Sequence, residues 1–295
     1  PTHISTSFRF IASISTFDYY KKDKLFSRND KPSFNSKDER FVKLMVALPF
    51  LANKRAEFSL GYGQLEDNYF QSSVIDFDKD RSDRSTYKLL GGSIGFYGST
   101  LNTRQYATKG YLEKLIAQVF TGRERFEPGN PQEGYSPSPQ ERQSWLQISY
   151  MKEAYHTMGP KFTLGWMAEA LYSSKNFSEN YTATMMQAGE FAPTPHSKLM
   201  YNEAFRANQY VAAGIKPIYV LNDMFQFRTE FYGFTPIFPI KKNALNKAYY
   251  GKAFSRFEYM GEVSVICHLP FGAISAYVNH YSSCLLYTSD AADER

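Results

Sequence analysis

The sequence predicts an all-β fold, an antiparallel barrel that crosses a membrane, and three observations carry that prediction. Apolar and polar residues alternate with a period of two through most of the chain. The connections between the alternating stretches are by turns tight and long. Hydrophobic residues make up 43% of the 295 residues, yet the mean hydropathy is −0.46, so apolar side chains are interleaved with polar ones. No run of about 18 apolar residues occurs, which excludes a membrane-spanning helix. A barrel strand needs only about 9–11 residues, with every second one facing lipid.

The alternation separates two faces cleanly. In 224–238, Phe225, Phe227, Thr229 and Phe231 lie opposite Gln226, Arg228, Glu230 and Tyr232. In 256–269, Phe257, Tyr259, Gly261, Val263, Val265, Cys267 and Leu269 lie opposite Arg256, Glu258, Met260 and Glu262. In 162–173, Phe162, Leu164, Trp166, Ala168 and Ala170 oppose Thr163, Gly165, Met167 and Glu169. In 8–16, Phe8, Phe10, Ala12 and Ile14 oppose Arg9, Ser13 and Ser15.

A soluble sandwich also has long strands with one apolar face, so the connections decide. Turns near Leu51–Lys54, Met158–Lys161, Leu221–Asp223 and Leu269–Phe271 are tight. Between them lie the longer polar segments Lys21–Arg40, Gln64–Asp83, Thr121–Gln143, Ser174–Ala204 and Pro239–Gly251. Pro128, Pro131, Pro137 and Pro139 mark Thr121–Gln143 as a loop. Short turns on one side and long loops on the other are the habit of outer-membrane barrels, and a sandwich keeps no such parity. The 17% aromatic content, 23 Tyr and 25 Phe against two Trp, suits girdles at the two interfaces.

Eleven strands follow, near 7–19, 41–50, 55–63, 84–98, 110–121, 143–156, 161–173, 206–220, 224–238, 252–267 and 271–281, with 68–76 as a doubtful extra. Closure and an even strand number require about twelve. The barrel is therefore expected to be truncated before its closing strand, leaving an open edge. The barrel occupies residues 1–283. The segment Cys284–Arg295 reads as one frame of a sequencing adapter and is set aside as an artefact. That leaves Cys267 as the one cysteine, so no intrachain disulfide is expected. The tail holds three acids and one Arg, so without it the formal charge rises from +5 to +7. Lys and Arg are scattered, which argues against nucleic acid as a partner. The chain begins at Pro1 without a signal peptide, and any secretion signal is expected upstream.

Two segments carry a family resemblance. Ser99–Tyr111 (STLNTRQYATKGY), leading into Leu112 and beyond, resembles the turn-and-strand pattern of the outer-membrane assembly-factor, or bacterial surface antigen, barrel superfamily. That pattern is an Asn or Asp in a turn, a Pro- or Ala-containing step, then Lys/Arg-Gly-Tyr opening a strand. Tyr201–Pro217 (YNEAFRANQYVAAGIKP) followed by FEYMGEVSVICHLPFGAISAYVNHY resembles the C-terminal barrel of Bacteroidetes patatin-like phospholipases. The resemblance covers most of 1–283. It implies a bacterial outer-membrane barrel that anchors or exports an upstream patatin-like lipid acyl hydrolase using a Ser–Asp dyad, both outside these residues. The alternative is a stand-alone outer-membrane channel or an assembly or translocation factor. Expected partners are outer-membrane lipid and the upstream hydrolase domain. A homo-oligomer stays open, and no cofactor is expected.

The superfamily also carries a lumen motif, hydrophobic-Arg-Gly-aromatic. Phe205-Arg206-Ala207-Asn208 stands at the matching place and departs at its last two positions. A buried Arg needs a carboxylate partner, and Glu230 or Glu258 is expected to supply it. An ordinary polar lumen residue is the other reading of Arg206. With Lys216, Arg228, Arg256 and Glu262 these residues form the candidate lumen set. There they tune solute passage or hold a plug, or pair among themselves, which the presence of both signs favours.

Other motifs carry less. Gly91-Gly92-Ser93-Ile94-Gly95 matches G-x-S-x-G, but a nucleophile elbow needs a strand, a sharp turn and a helix. Here the match lies inside an alternating run, and the chain holds no Asp-Gly step for the base. Bending of a Gly-rich strand is the simpler reading. A third function class, a barrel that is itself an enzyme, would rest on Ser93 and the histidines. His3, His156, His196, His268 and His280 show no metal-ligand spacing, so no metal and no catalytic residue is expected. His268 and His280 flank the last hairpin, and Cys267 reads as a small hydrophobe.

Overall fold

A computed structural model describes residues 6–19, 35–70, 81–129, 142–270 and 272–288. The chain runs β1 (Ser7–Tyr19), β2 (Asn35–Leu51), β3 (Lys54–Tyr69), β4 (Asp83–Ser99), β5 (Gly110–Glu127), β6 (Arg142–Thr157) and β7 (Phe162–Ser173). Helix α1 (Tyr181–Gln187), β8 (Gly189–Glu190) and β9 (Arg206–Ala207) follow. Then come β10 (Gln209–Val220), β11 (Phe225–Pro236), β12 (Ile240–Lys242), β13 (Ala248–Tyr250), β14 (Glu258–Leu269), β15 (Gly272–Tyr281) and β16 (Cys284–Thr288). Among the described residues, twelve strands make one antiparallel sheet in the order β1-β2-β3-β4-β5-β6-β7-β10-β11-β14-β15-β16. β8 pairs with β9 and β12 with β13.

The faces are inverted relative to a water-soluble protein. Along β11, Phe225, Phe227 and Phe231 are 37%, 46% and 53% exposed, while Gln226, Arg228 and Glu230 are 1%, 2% and 6% exposed. Leu44, Leu60, Leu90, Val119, Val211, Ile215 and Val263 continue the exposed apolar belt on other strands. Water would not tolerate so large a contiguous patch, whereas hydrocarbon accepts it provided every backbone group is paired within the sheet. Among the described residues no helix is long and apolar enough to cross a membrane.

Several strands outrun their apolar stretch. β2 begins at Asn35, β3 continues to Tyr69 and β5 to Glu127, inside segments that the sequence marks as loops. The reason is local: Lys37–Glu39 (2.9 Å), Arg84–Glu66 (2.6 Å) and Arg125–Glu127 (2.8 Å) ion pairs accompany the ladder where the apolar alternation stops. Of the doubtful stretch 68–76, Asn68 and Tyr69 end β3, and 71–76 lies outside the described residues.

Two boundaries shift the other way. The strand expected over 206–220 is split, with Arg206 and Ala207 in β9 and β10 starting at Gln209. The strand expected from 252 starts at Glu258. The sequence count of eleven also changes. Cys284–Thr288, set aside above, pairs with β15 through Val278↔Thr288, Asn279↔Tyr287 and Tyr281↔Cys284. An edge strand offers backbone donors and acceptors to any extended segment, whatever its side chains. Among the described residues no ladder joins β16 to β1.

The largest difference concerns Ser174–Ala204, which reads as an outer loop. It folds inward instead. Met185, Met186, Phe191 and Phe205 are buried, and Phe191 and Phe205 pack on Leu171, Tyr210, Tyr232, Phe234, Met260 and Tyr281. Asn180 caps α1 by accepting from the Ala183 N–H (2.8 Å) and donates its amide to the Tyr69 hydroxyl on β3 (2.7 Å). One segment thus touches β3 and β15, near opposite ends of the sheet order, which requires the sheet to be curled around it.

Candidate functional site

The interior is filled from both ends. From the long-loop side comes the insert 174–208, anchored by Arg206. The β8–β9 ladder places Glu190 opposite Arg206. Arg206 Nη2 meets Glu190 Oε2 at 2.8 Å, and Nη1 donates to the carbonyls of Met186 (3.2 Å) and Ala188 (3.5 Å). The guanidinium lies 4.7 Å from the centroid of the Tyr201 ring. The carboxylate partner of Arg206 is therefore Glu190, on the same insert, and not Glu230 or Glu258. Both of those are engaged by arginines two residues away on their own chain segments. Burial raises the Glu190 carboxyl above its ordinary range, and Arg206 offsets part of that rise.

From the short-turn side comes the β4–β5 connection. Asn102 Oδ1 accepts from the N–H groups of Thr108 (3.0 Å) and Lys109 (3.1 Å), which is why an Asn suits this turn. Gly110 has φ +89°, and a Cβ there would lie 2.1 Å from the Thr100 carbonyl oxygen. The folded turn pushes Tyr106 and Ala107 inward. The Tyr106 hydroxyl reaches Ser275 Oγ on β15 (2.9 Å), and its carbonyl accepts from Gln226 (3.3 Å).

Between the two plugs lies the polar network. Arg228 donates to Glu230 Oε1 (3.0 Å), to the Ala107 carbonyl (2.9 Å) and to the Tyr155 hydroxyl (3.4 Å). Glu230 Oε2 accepts from Tyr232 (2.5 Å). Lys216 meets Glu153 at 3.0 Å, and Tyr155 bonds the same Glu153 oxygen. Glu262 stands directly across the ladder from Glu230 and is bonded by Thr194 of the insert and by Asn279. Arg256 and Glu258 lie apart from this group. Arg256 precedes β14 and pairs with Glu258 at 2.7 Å, at the rim, and Glu258 also accepts from Ser282. The candidate set thus divides into a buried cluster, a plug anchor and a rim pair.

A solved structure shares this architecture. BamA from Haemophilus ducreyi lacking POTRA domains 1–3 aligns with a TM-score of 0.56 at 12% identity, over 96% of this chain and 57% of that one. The fold is that of an outer-membrane β-barrel. No family model and no curated protein matches the chain. The chain spans a little over half the length of the BamA chain.

Within this barrel, the sequence gives no sign of one further group. Lys175 Nζ sits 4.4 Å from the Tyr87 ring centroid and 5.2 Å from that of Trp145. Burial pulls its ammonium down to about 8, while Glu124 and Asp67 pull it up. The Tyr87 hydroxyl bonds Ser178 Oγ (2.6 Å) and Glu124 (2.8 Å), and Gln187 bonds Asp67. These residues are scattered over five segments, so no spacing in the sequence announces them.

Ser93 lies in the middle of β4, with its Oγ 2.6 Å from Ser59 Oγ on β3, so no elbow forms around it. The ring nitrogen of His268 meets the Gln226 amide at 2.9 Å, His156 meets Trp166 at 3.4 Å, and His196 and His280 contact tyrosine rings. His3 lies outside the described residues. No group of three or more His, Cys, Asp or Glu is placed to hold a metal among the described residues.

Proposed function

We propose that this chain is a plugged outer-membrane barrel that works as an assembly or translocation factor, with the insert 174–208 closing the lumen at rest. The observation that carries the reading is that the buried cations of the interior are ion-paired and tied to the two plugs. Arg228 pairs with Glu230 and Lys216 with Glu153, Arg228 also holds the Ala107 carbonyl of the short-turn plug, and Glu262 is bonded by Thr194 of the insert. An open diffusion channel keeps such groups in water, where they set selectivity. Here they hold the plugs. The surrounding partner is outer-membrane lipid.

Planar-bilayer recording tests this. The full chain is expected to pass little current. A variant with 177–203 replaced by a short Gly-Ser linker is expected to pass a large, steady current. A large steady current from the unaltered chain would overturn the plugged reading in favour of an open channel.

The finer reading, a barrel that anchors or exports an upstream patatin-like acyl hydrolase, is supported by the resemblance of Tyr201–Pro217 and of 257–281 and comes second. Reading the gene upstream of Pro1 tests it: G-x-S-x-G on a strand–helix unit with a downstream Asp-Gly is the expected result, and a signal peptide directly before Pro1 would sink it.

A further inference from the structure

The outer face of β2–β6 carries a row of charge that the lumen does not explain. Strand register aligns Arg40, Gln64, Lys88, Arg123 and Arg142 as direct neighbours across five strands. Arg40, Lys88, Arg123 and Arg142 are exposed and share the parity of the belt residues Leu44, Leu90, Val119 and Leu146. Like charges directly opposite one another destabilise a sheet. The acids that would relieve them sit one register row farther out and are committed elsewhere: Glu66 to Arg84 (2.6 Å) and Asp38 to Thr16 (2.6 Å). Among the described residues Arg40, Lys88 and Arg123 form no ion pair, and Arg142 donates only to Thr121 (3.0 Å). The row therefore leaves three adjacent strands, β4 to β6, with unneutralised cations at the edge of the apolar belt.

Below this row, toward the bilayer centre, the same face is hollow. A groove of about 580 Å³ opens over β2–β5, within the roughly 300–1,000 Å³ range of ligand sites. Gly92 forms its floor, between Leu60 on β3 and Val119 on β5, with Leu44 and Ile94 in its walls. A Cβ built on Gly92 would meet nothing nearer than the Ser59 carbonyl at 3.6 Å, so the space above it is empty. Lys88 and Gly92 are four residues apart on one strand, about 14 Å.

We propose that this face binds a phosphorylated lipid of the leaflet on the long-loop side, with its phosphate on Lys88, Arg123 and Arg142 and an acyl chain in the Gly92 groove. Charge complementarity selects the occupant, because an anionic headgroup relieves the like-charge row and a hydrocarbon chain fills the hollow beneath it. Guanidinium groups match phosphate geometry with paired donors. The proposal rests on the membrane-embedded reading of the barrel and adds one lipid class and one place.

The test uses the full chain in phosphatidylcholine nanodiscs doped with diphosphoryl lipid A, with co-purified lipid A counted by native mass spectrometry. Lys88→Gln with Arg123→Gln and Arg142→Gln is expected to lower retention about tenfold or more, consistent with loss of charge-assisted hydrogen bonds. Gly92→Val keeps every charge, fills the groove and is expected to lower retention several-fold. Arg104→Gln, at the opposite rim, is expected to change nothing. Lys88→Gln alone removes a repulsion, so it is expected to weaken retention while leaving the barrel at least as resistant to urea. Retention unchanged in both the triple variant and Gly92→Val would overturn the proposal with the barrel reading intact. Displacement by inorganic phosphate with Gly92→Val unaffected would make this an anion site only and also overturn it. Failure of the unaltered chain to insert would overturn both.

Discussion

The lumen wall on β3 and β4 and the wall on β7, β10, β11, β14 and β15 follow one alternation and are filled in opposite ways. On the first wall the mid-strand inward positions are small and half-open: Ser59, Gly61, Gly63, Gly91 and Ser93. The second carries large, buried residues: Met167, Tyr210, Arg228, Glu230, Tyr232, Phe234 and Met260. The insert and the β4–β5 turn both lean on the second wall. A binary pattern fixes which residues point inward, but the size of those residues decides which wall carries the plug.

The sharpest way to break this contrast is Arg228→Ala. Its side chain is 2% exposed and ties Glu230, Ala107 and Tyr155 together, so its loss leaves a buried carboxylate without its cation beside the equally buried Glu262. Removing one partner of such a pair costs about 3–5 kcal/mol. Urea titration of the refolded protein in detergent, followed by the heat-modifiable band on gels, is expected to show the loss. A midpoint within error of the unaltered protein would mean that the second wall does not depend on this network.

Next in size is Lys175, where the insert passes over the far end of the first wall. Its folded value of about 8 lies below the ordinary 10.5. Below pH 8 both the folded and unfolded states are protonated, and the burial penalty is fully present. Between pH 8 and about 10.5 the unfolded state binds more protons, so stability rises with pH across that window. The gain is at most ~3 kcal/mol, before the Tyr87 and Trp145 ring contacts, which favour the charged form, reduce it. Protease cleavage of the insert is expected to slow from pH 8 to 10, and Lys175→Met is expected to remove that dependence. Arg206→Ala is smaller, about 2 kcal/mol, because its partner Glu190 keeps 27% side-chain exposure and water can replace part of the pairing. It is expected to raise insert cleavage while leaving the barrel's urea midpoint nearly unchanged.

What was legible in the sequence follows the same division. Strand faces such as Phe227 against Arg228 were legible because a period of two is a local property. The alternation of short and long connections gave the architecture for the same reason. Strand ends were not, since the ladder runs on past the apolar alternation, where Glu66 pairs across to Arg84 and Lys37 and Arg125 pair along their own strands with Glu39 and Glu127. The inward fold of 174–208 was hidden because its polar composition reads as a loop, while its buried apolar residues, Met185, Met186, Phe191 and Phe205 among them, keep no helical or strand period through the segment. Arg206 was legible as a buried cation through its motif. Its partner was not, because the β8–β9 pair that brings Glu190 opposite is only two residues long on each side.

The smallest effects sharpen the comparison between the walls, because the same substitution is made on each. Ser93→Ala on the first wall removes the 2.6 Å bond to Ser59, but the site is half-open and water can take the vacated position. The expected cost is about 1 kcal/mol or less. Ser264 on β14 of the second wall is 2% exposed, and its hydroxyl has no hydrogen-bond partner among the described residues. Removing a buried, unsatisfied hydroxyl is neutral or stabilising, so Ser264→Ala is expected to leave the urea midpoint unchanged or raise it. The more buried serine is thus the cheaper one to lose, since the exchange is governed by what each hydroxyl bonds rather than by depth. The reverse order of midpoints would show that Ser264 holds an ordered water. Loss of acyl-ester hydrolysis by the full-length protein on Ser93→Ala would give the first wall a chemical role that its strand geometry argues against.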